Sequence, residues 1–160
     1  MSVSEPPPLP APVPTAWYGD PASPDVLVLA HAFPLTGAMW GDVLARLPPT
    51  LRVGVPELVA GAPVDEPPSI DRLADGVLAA LDAATISRAV VAGVSMGGYV
   101  ALSLARRHRD RLAGLGLIDT RPDADAAEQA ANRQRIAEEV AAAGSAAALA
   151  GTMLDTLLGS

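Results

Sequence analysis

The residues best placed to do chemistry surround a serine. Positions 93–97 fit the pattern G-x-S-x-G with Ser95 at its centre, between an apolar run and a stretch with helical spacing. This is the context in which a sharp strand-to-helix turn exposes a nucleophilic hydroxyl. Side chains on Gly93 or Gly97 would collide across such a turn, and Gly98 lets the helix lie close to the sheet. Because the dipole of that helix favours developing negative charge at its N-terminus, Ser95 is predicted to be a nucleophile.

A second group of residues fits the same chemistry independently. Acyl transfer needs two backbone N–H groups aimed at the oxyanion that forms. Met96, directly after the serine, is one predicted donor. The other is predicted in the loop that follows a neighbouring apolar run, where Phe33 carries an N–H and Pro34 does not. Phe33 and Met96 are therefore the predicted oxyanion hole.

The elements that must position these residues alternate between strand and helix. Four short apolar runs predict buried strands, and three stretches with helical spacing lie between them. The strands are expected at 26–30, 51–55, 89–94 and 115–118, and the helices at 39–47, 70–81 and 96–107. Such alternation predicts an α/β fold with a doubly wound, mostly parallel sheet. The chemistry of such sheets sits at the carboxyl ends of the strands, where the loops after positions 30, 94 and 118 would meet.

Composition narrows the function classes. The 160 residues carry a net charge of −7, and all basic side chains are arginine. This balance argues against a nucleic-acid partner and against electrostatic docking on an anionic membrane. There is no cysteine, and hence no disulfide, thiolate nucleophile or thiolate metal site. With no basic, apolar leader and no apolar run of about 20 residues, a cytoplasmic protein is expected.

Three regions are predicted along the chain. Residues 1–15 are expected to be a disordered, proline-rich tail, since six prolines fall between Pro6 and Pro14. Residues 16–122 would form the α/β core. Residues 123–160 show helical patterns without a further strand and are expected to begin a helical cap.

Taken together, these motifs resemble a known family. The apolar strand leading into HAFPLTGAMW is similar to the H-G-F-P loop of the α/β-hydrolase superfamily, and AVVAGVSMGGYVALSLARRHRDRLAGLGLIDT resembles its nucleophile elbow, following helix and next strand. The similarity runs from about residue 25 to 121 and is greatest to the enol-lactonase, haloperoxidase-like and esterase branch. One departure is Ala32, where glycine is commoner. The resemblance implies a structural role for His31 in holding the oxyanion loop.

The sequence offers no histidine placed to be the catalytic base. In this fold the acid and then the histidine follow the serine. His108 is the only later histidine, and in a helix starting at Met96 it would lie roughly 18 Å along the axis. It is expected at the surface. His31 follows a neighbouring strand and could lie near Ser95, but it is a poor candidate for the base. Asp119, which follows the last predicted strand, is a weak candidate for the acid.

Neither a cofactor nor a metal ion is expected. Asp119, Asp123 and Asp125 are close in sequence but lack the glycine and glutamate of a calcium loop, so a solvated acidic loop is predicted. A nucleotide-binding domain is a poor alternative. Residues 93–98 do not fit G-x-G-x-x-G, and without lysine there is no P-loop.

Two interpretations of function remain. The first is a serine hydrolase acting on a small-molecule ester, lactone or similar acyl substrate, inactive or nearly so as this chain alone because the base is absent. A shortened chain, an interrupted gene or half of a split enzyme would account for that absence. Its expected partner is then a missing C-terminal half, or a second copy bound at an exposed edge of the sheet. The second is a non-catalytic binding module that kept the pocket, favoured if adding the other half fails to restore hydrolysis.

Overall fold

The computed structural model describes residues 10–59 and 69–145. The chain divides into two compact units, Met1–Thr120 and Arg121–Ser160. The first unit contains every residue of the predicted site.

A five-stranded sheet forms the first unit. Its order is β1-β3-β2-β4-β5, with β1 antiparallel to β3 and the other neighbouring pairs parallel. The strands are β1 (Thr15–Tyr18), β2 (Val26–Ala30), β3 (Arg52–Pro56), β4 (Ala89–Val94) and β5 (Leu112–Ile118). The predicted α/β class with a mostly parallel sheet is confirmed, and parallel pairing brings the ends of β2, β4 and β5 to one edge.

Helices cover both faces of this sheet. The helices of the first unit are α1 (Gly41–Leu44), α2 (Ile70–Ala83) and α3 (Met96–Arg107). A larger apolar core joins α2 and α3 to one face through residues such as Val28, Val91 and Leu104. A smaller core on the other face contains Leu29 and Trp40. Because successive residues of a strand point to opposite faces, β2 contributes to both cores, and this explains its unbroken apolar sequence.

The helix that leads towards β4 begins where its sequence predicts. The Ser69 hydroxyl accepts a hydrogen bond from the Arg72 amide at 3.1 Å and so caps α2. The helix continues to Ala83, two residues beyond the predicted end. In contrast, the helix predicted over 39–47 is a 3₁₀ turn, Gly37–Trp40, followed by the single turn of α1.

The structure adds one strand that the sequence analysis missed. Trp17 of β1 packs its ring over Gly54 of β3, where a Cβ would stand 2.7 Å from the ring. The Arg52 guanidinium lies over the same ring, 4.9 Å from its centre. Four residues beside a proline-rich stretch give a weak strand signal, and this cross-strand packing is what fixes β1 in place.

The end of the predicted disordered tail also differs. The Val13 amide donates to the Gly76 carbonyl of α2 at 3.2 Å, and Thr15 already belongs to β1. Gly76 allows this approach, since a Cβ there would stand 2.7 Å from Val13 Cγ1. Val13, Pro14 and Thr15, which belong to the predicted tail, are therefore bound to the rest of the first unit. Residues 1–9 of the predicted tail lie outside the described residues.

The described part of the second unit contains one helix, α4 (Ala127–Ala143). It ends at Gly144, whose φ of 63° is the left-handed conformation common after a helix. Exposed pairs one turn apart, such as Arg135 with Glu139, line its surface. The predicted continuation to residue 160 extends beyond the described residues. No helix in the described ranges is long and apolar enough to span a membrane.

Candidate active site

Ser95 lies on a sharp turn between β4 and α3, with φ 51° and ψ −111°. The turn is held on both sides of the residue. The Ser95 amide donates to the Ile118 carbonyl of β5 at 3.1 Å, and the Ser95 carbonyl accepts from the Gly98 and Tyr99 amides at 3.0 and 3.2 Å. A non-glycine residue with this φ is strained, and such strain persists only where the surroundings enforce it.

Neither glycine that flanks the turn has room for a side chain. A Cβ on Gly93 would stand 2.5 Å from the Gly98 nitrogen, across the turn. A Cβ on Gly97 would stand 2.6 Å from the Ala30 carbonyl carbon and 2.8 Å from the His31 oxygen. The first turn of α3 therefore lies directly against the carboxyl end of β2, where the loop containing Phe33 begins.

The sequence predicts that Gly98 lets α3 pack closely on the sheet, but in the structure Gly98 faces Thr120. A Cβ on Gly98 would stand 2.6 Å from the Thr120 Cβ, so the side chain of Thr120 fills the space that the glycine leaves. The Thr120 hydroxyl oxygen lies 3.2 Å from the Ser95 carbonyl and 3.0 Å from the Ile118 carbonyl. Gly98 thus makes room for the end of β5 as well as for close packing of the helix.

The predicted oxyanion loop is fixed at both of its ends. The His31 ring is 1% exposed, and its Nε2 accepts from the Leu58 amide at 3.0 Å. The Nδ1 atom lies 2.9 Å from the Ala32 carbonyl and, in the tautomer that these partners require, donates to it. Glu57 accepts from the Gly37 amide at 2.9 Å. The Phe33 amide lies in the loop that these contacts hold, and Met96 begins α3 on the facing turn.

His31 and His108 both have partners away from Ser95. Both ring nitrogens of His31 contact backbone groups, and its Nε2 is also 3.8 Å from a Glu57 carboxylate oxygen. His108 directly follows α3, and its Nε2 lies 3.4 Å from Asp75 Oδ1 of α2 without a hydrogen bond between them. Its side chain is 26% exposed, so the expected surface residue is in fact partly buried in a charged cluster. The ring nitrogens of His31 are taken by backbone groups, and His108 lies at the opposite end of α3 from Ser95, so neither ring is placed to act as a base on the serine.

Asp119 lies at the carboxyl end of β5, directly after the residue whose carbonyl binds the Ser95 amide. Its φ of 46° is a second strained backbone position at this edge of the sheet. The side chain is exposed. Both ring nitrogens of His31 contact backbone groups and His108 lies beside Asp75, so within the described residues neither histidine is paired with Asp119.

A charged cluster holds α3 against α2. The Ser103 hydroxyl donates to Asp71 at 2.5 Å, and Arg106 binds the same carboxylate at 2.9 and 3.0 Å. These partners, the Ser103 hydrogen bond first, lower the pKa of Asp71 below its ordinary value of 3.8. The hydrogen bond from Arg107 to the Asp75 carboxylate has the opposite effect on a base and raises the pKa of Arg107. The cluster therefore ties α3, the helix that begins after Ser95, to α2.

Two residues at this edge escaped the sequence analysis. Glu57 follows the predicted second strand, and a polar residue at the carboxyl end of a parallel strand was the available signal. Thr120 follows Asp119 and had the same signal.

No group of three or more histidine, aspartate or glutamate side chains that would bind a metal ion occurs within the described ranges.

This arrangement of a strained serine, a strand-to-helix turn and an adjoining loop at one edge of a parallel sheet defines a class of protein. The α/β-hydrolase fold family matches residues 25–150, and the chain belongs to that family. The resemblance inferred from the sequence motifs is thereby confirmed.

Individual relatives include esterases and a lactonase. The chain is 41% identical over 97 residues to a pimeloyl-[acyl-carrier protein] methyl ester esterase of Aromatoleum aromaticum, over 60% of this chain and 37% of that protein. A solved thermophilic esterase from Thermogutta terrifontis is 35% identical with a TM-score of 0.72, over 79% of this chain and 47% of the other. The enol-lactonase from Burkholderia xenovorans is 27% identical with a TM-score of 0.72, over 88% and 54%. The chain thus spans about a third to half of the length of these relatives.

Proposed function

We propose that this chain carries the nucleophile and oxyanion hole of a serine hydrolase that acts on carboxylic esters or lactones. One observation carries the proposal: Ser95 has a strained backbone, with φ 51°, at the first turn of a helix packed against the end of β2. Strain of this kind costs about 1–3 kcal/mol and is concentrated at functional sites. The ester or lactone class is supported by the activities for which relatives in the same family are named.

The proposed reaction follows from this geometry. The Ser95 oxygen attacks the carbonyl carbon as a base takes its proton, and the amides of Phe33 and Met96 stabilise the resulting oxyanion. Collapse breaks the bond to the alcohol oxygen, which receives the proton from the base. Water then attacks the acyl-serine by the same route and releases the carboxylic acid.

The proposal places the base outside these 160 residues. The sequence has two histidines: the ring of His31 is bound by backbone groups, and His108 lies at the far end of α3 from Ser95. Without a base a serine is a poor nucleophile, so this chain alone is expected to hydrolyse esters very slowly. The role of Asp119 as the acid is part of the proposal and rests on its position at the end of β5.

We propose that the polypeptide carrying the base joins the sheet at the open edge of β5. Leu115, Leu117 and Ile118 of this strand are 42–47% exposed, and β5 has a single neighbour among the described strands. A further polypeptide that carries the base would pair there, whereas a second copy of this chain would bring only the same two histidines. The proposed location is cytoplasmic, and it rests on the sequence pattern alone.

Chemical rescue tests the proposal. The chain and its Ser95→Ala variant are each assayed with p-nitrophenyl butyrate, with and without imidazole as an external base. The expected result is little turnover without imidazole and, with it, a rate for the unmodified chain above that of Ser95→Ala. Mass spectrometry should then find a butyryl group on Ser95.

Two outcomes would contradict separate parts of the proposal. Equal rates for both chains in imidazole, with no acyl adduct, would remove Ser95 as the nucleophile and favour a binding module. Brisk turnover without imidazole that is lost in Ser95→Ala would keep the nucleophile but refute the missing base.

A further inference from the structure

We infer that Thr120 is a positioning residue for the nucleophile, whose hydroxyl fixes the main chain of Ser95 and so determines where the serine oxygen stands. The inference rests on the proposed role of Ser95. It begins from one contact: Thr120 Oγ1 lies 3.2 Å from the Ser95 carbonyl oxygen.

The end of β5 holds Ser95 from both sides. The Ile118 carbonyl accepts the Ser95 amide at 3.1 Å, and two residues later the Thr120 hydroxyl reaches the Ser95 carbonyl. The same hydroxyl lies 3.0 Å from the Ile118 carbonyl, so its single proton has two acceptors within reach. The peptide groups before and after the serine are thereby tied to one short segment.

Such a restraint is needed because the conformation of Ser95 is unfavourable in itself. Its φ of 51° and ψ of −111° lie in a region that L-residues rarely adopt. The amides of Gly98 and Tyr99 also bind the Ser95 carbonyl, but they belong to the helix that the serine begins. The Thr120 side chain instead ties this carbonyl to the segment that directly follows β5.

The shape of the neighbouring helix favours the same role. The Thr120 side chain occupies the space beside Gly98, where a Cβ would stand 2.6 Å from the Thr120 Cβ. The absence of a side chain at position 98 therefore lets the hydroxyl reach the turn. If Thr120 only ended the strand, it would not need the space that Gly98 leaves free.

The experiment uses the absence of cysteine from the chain. Ser95→Cys introduces a single thiol at the site of the nucleophile, and its rate of alkylation by iodoacetamide between pH 5 and 10 measures its pKa without any catalytic base. At a helix N-terminus the pKa of this thiol should lie below the ordinary value of about 8.5. This Ser95→Cys chain is the parent for all further variants.

In the parent, Thr120→Val removes the hydroxyl and keeps the shape of the side chain. We expect the thiol pKa to rise and alkylation at pH 7 to slow by about fivefold, the change expected for one lost hydrogen bond. Thr120→Ser keeps the hydroxyl and should retain the parent profile. Thr15→Val is the matched control, because it removes a hydroxyl that donates to Val13 at 2.9 Å in β1, and it should change nothing.

Several outcomes would overturn the inference. Thr120→Val with the parent rate and pH profile would show that the hydroxyl positions nothing, and equal losses in Thr120→Val and Thr120→Ser would assign the effect to packing. If circular dichroism shows that Thr120→Val does not fold, Thr120→Ala against Thr120→Ser makes the same comparison. A parent thiol with the reactivity and pKa of free cysteine would refute the positioned nucleophile as well, whereas failure of Thr120 alone would leave Ser95 in place.

Discussion

Gly97 lies directly against the main chain of Ala30: a Cβ at position 97 would stand 2.6 Å from the Ala30 carbonyl carbon. This contact joins the first turn of α3 to the end of β2. It brings the two predicted oxyanion donors, Met96 on the helix and Phe33 after the strand, to the same edge of the sheet. The site therefore depends on a glycine that itself takes no part in the chemistry.

Gly97→Ala should consequently damage both stability and the site. Backbone atoms surround the new methyl group and have no flexible end that can move aside, so the free energy of unfolding should fall by about 3 kcal/mol or more. Urea denaturation measures this change. Gly41→Ala is the matched control, since a Cβ at position 41 meets nothing within 4 Å and the backbone is helical, with φ −51°. A similar small effect of both variants would contradict the tight contact.

Ser95→Gly should make the protein more stable. Glycine adopts a positive φ without strain, and after its own entropic cost the gain should be about 1 kcal/mol. Ser95→Ala is the control because it removes the hydroxyl but keeps the Cβ and the strain. Thermal unfolding of the two variants gives the comparison, and a Ser95→Gly chain less stable than Ser95→Ala would show that the turn is not strained.

Glu57→Ala should loosen the loop that carries Phe33. The Gly37 amide would lose its acceptor at 2.9 Å, which should lower the free energy of unfolding by about 1 kcal/mol. Glu57→Gln keeps a side-chain oxygen at this position and should lose less. Hydrogen exchange at the Gly37 amide provides the local measurement, and unchanged protection in Glu57→Ala would rule out this contact.

Asp71→Asn should reduce stability in a way that depends on pH. Because the pKa of Asp71 is lowered in the folded chain, its ionised form contributes stability above the ordinary value of 3.8, and that contribution is lost as the pH falls through the lower folded value. Asp71→Asn should therefore have a lower urea midpoint than the unmodified chain at pH 7, and the difference should shrink below pH 3.8.

Asp110→Asn is the control for this pH series, since Asp110 is an exposed aspartate in the turn before β5. Its urea midpoint should follow that of the unmodified chain. A difference for Asp71→Asn that persists unchanged into acid would mean that charge at this position does not stabilise the contact between α2 and α3.

The sequence by itself determined the elements whose signals are local. Alternation of apolar strands and periodic helices gave the mostly parallel sheet, and α3 has the predicted limits, Met96 and Arg107. The spacing of glycines around Ser95 predicted a turn that leaves no room for side chains, because steric exclusion within five residues depends on the local chain alone.

Tertiary structure decided what depends on residues distant in sequence. β1 is held by packing of Trp17 over Gly54, and the His31 ring is fixed by the amide of Leu58, 27 residues away. Thr120 reaches Ser95 across 25 residues, and its partner Gly98 was assigned only a packing role from the sequence. Hydrogen bonds and close contacts of this kind form when strands pair side by side, so their partners are set by the register of the sheet and not by neighbours along the chain.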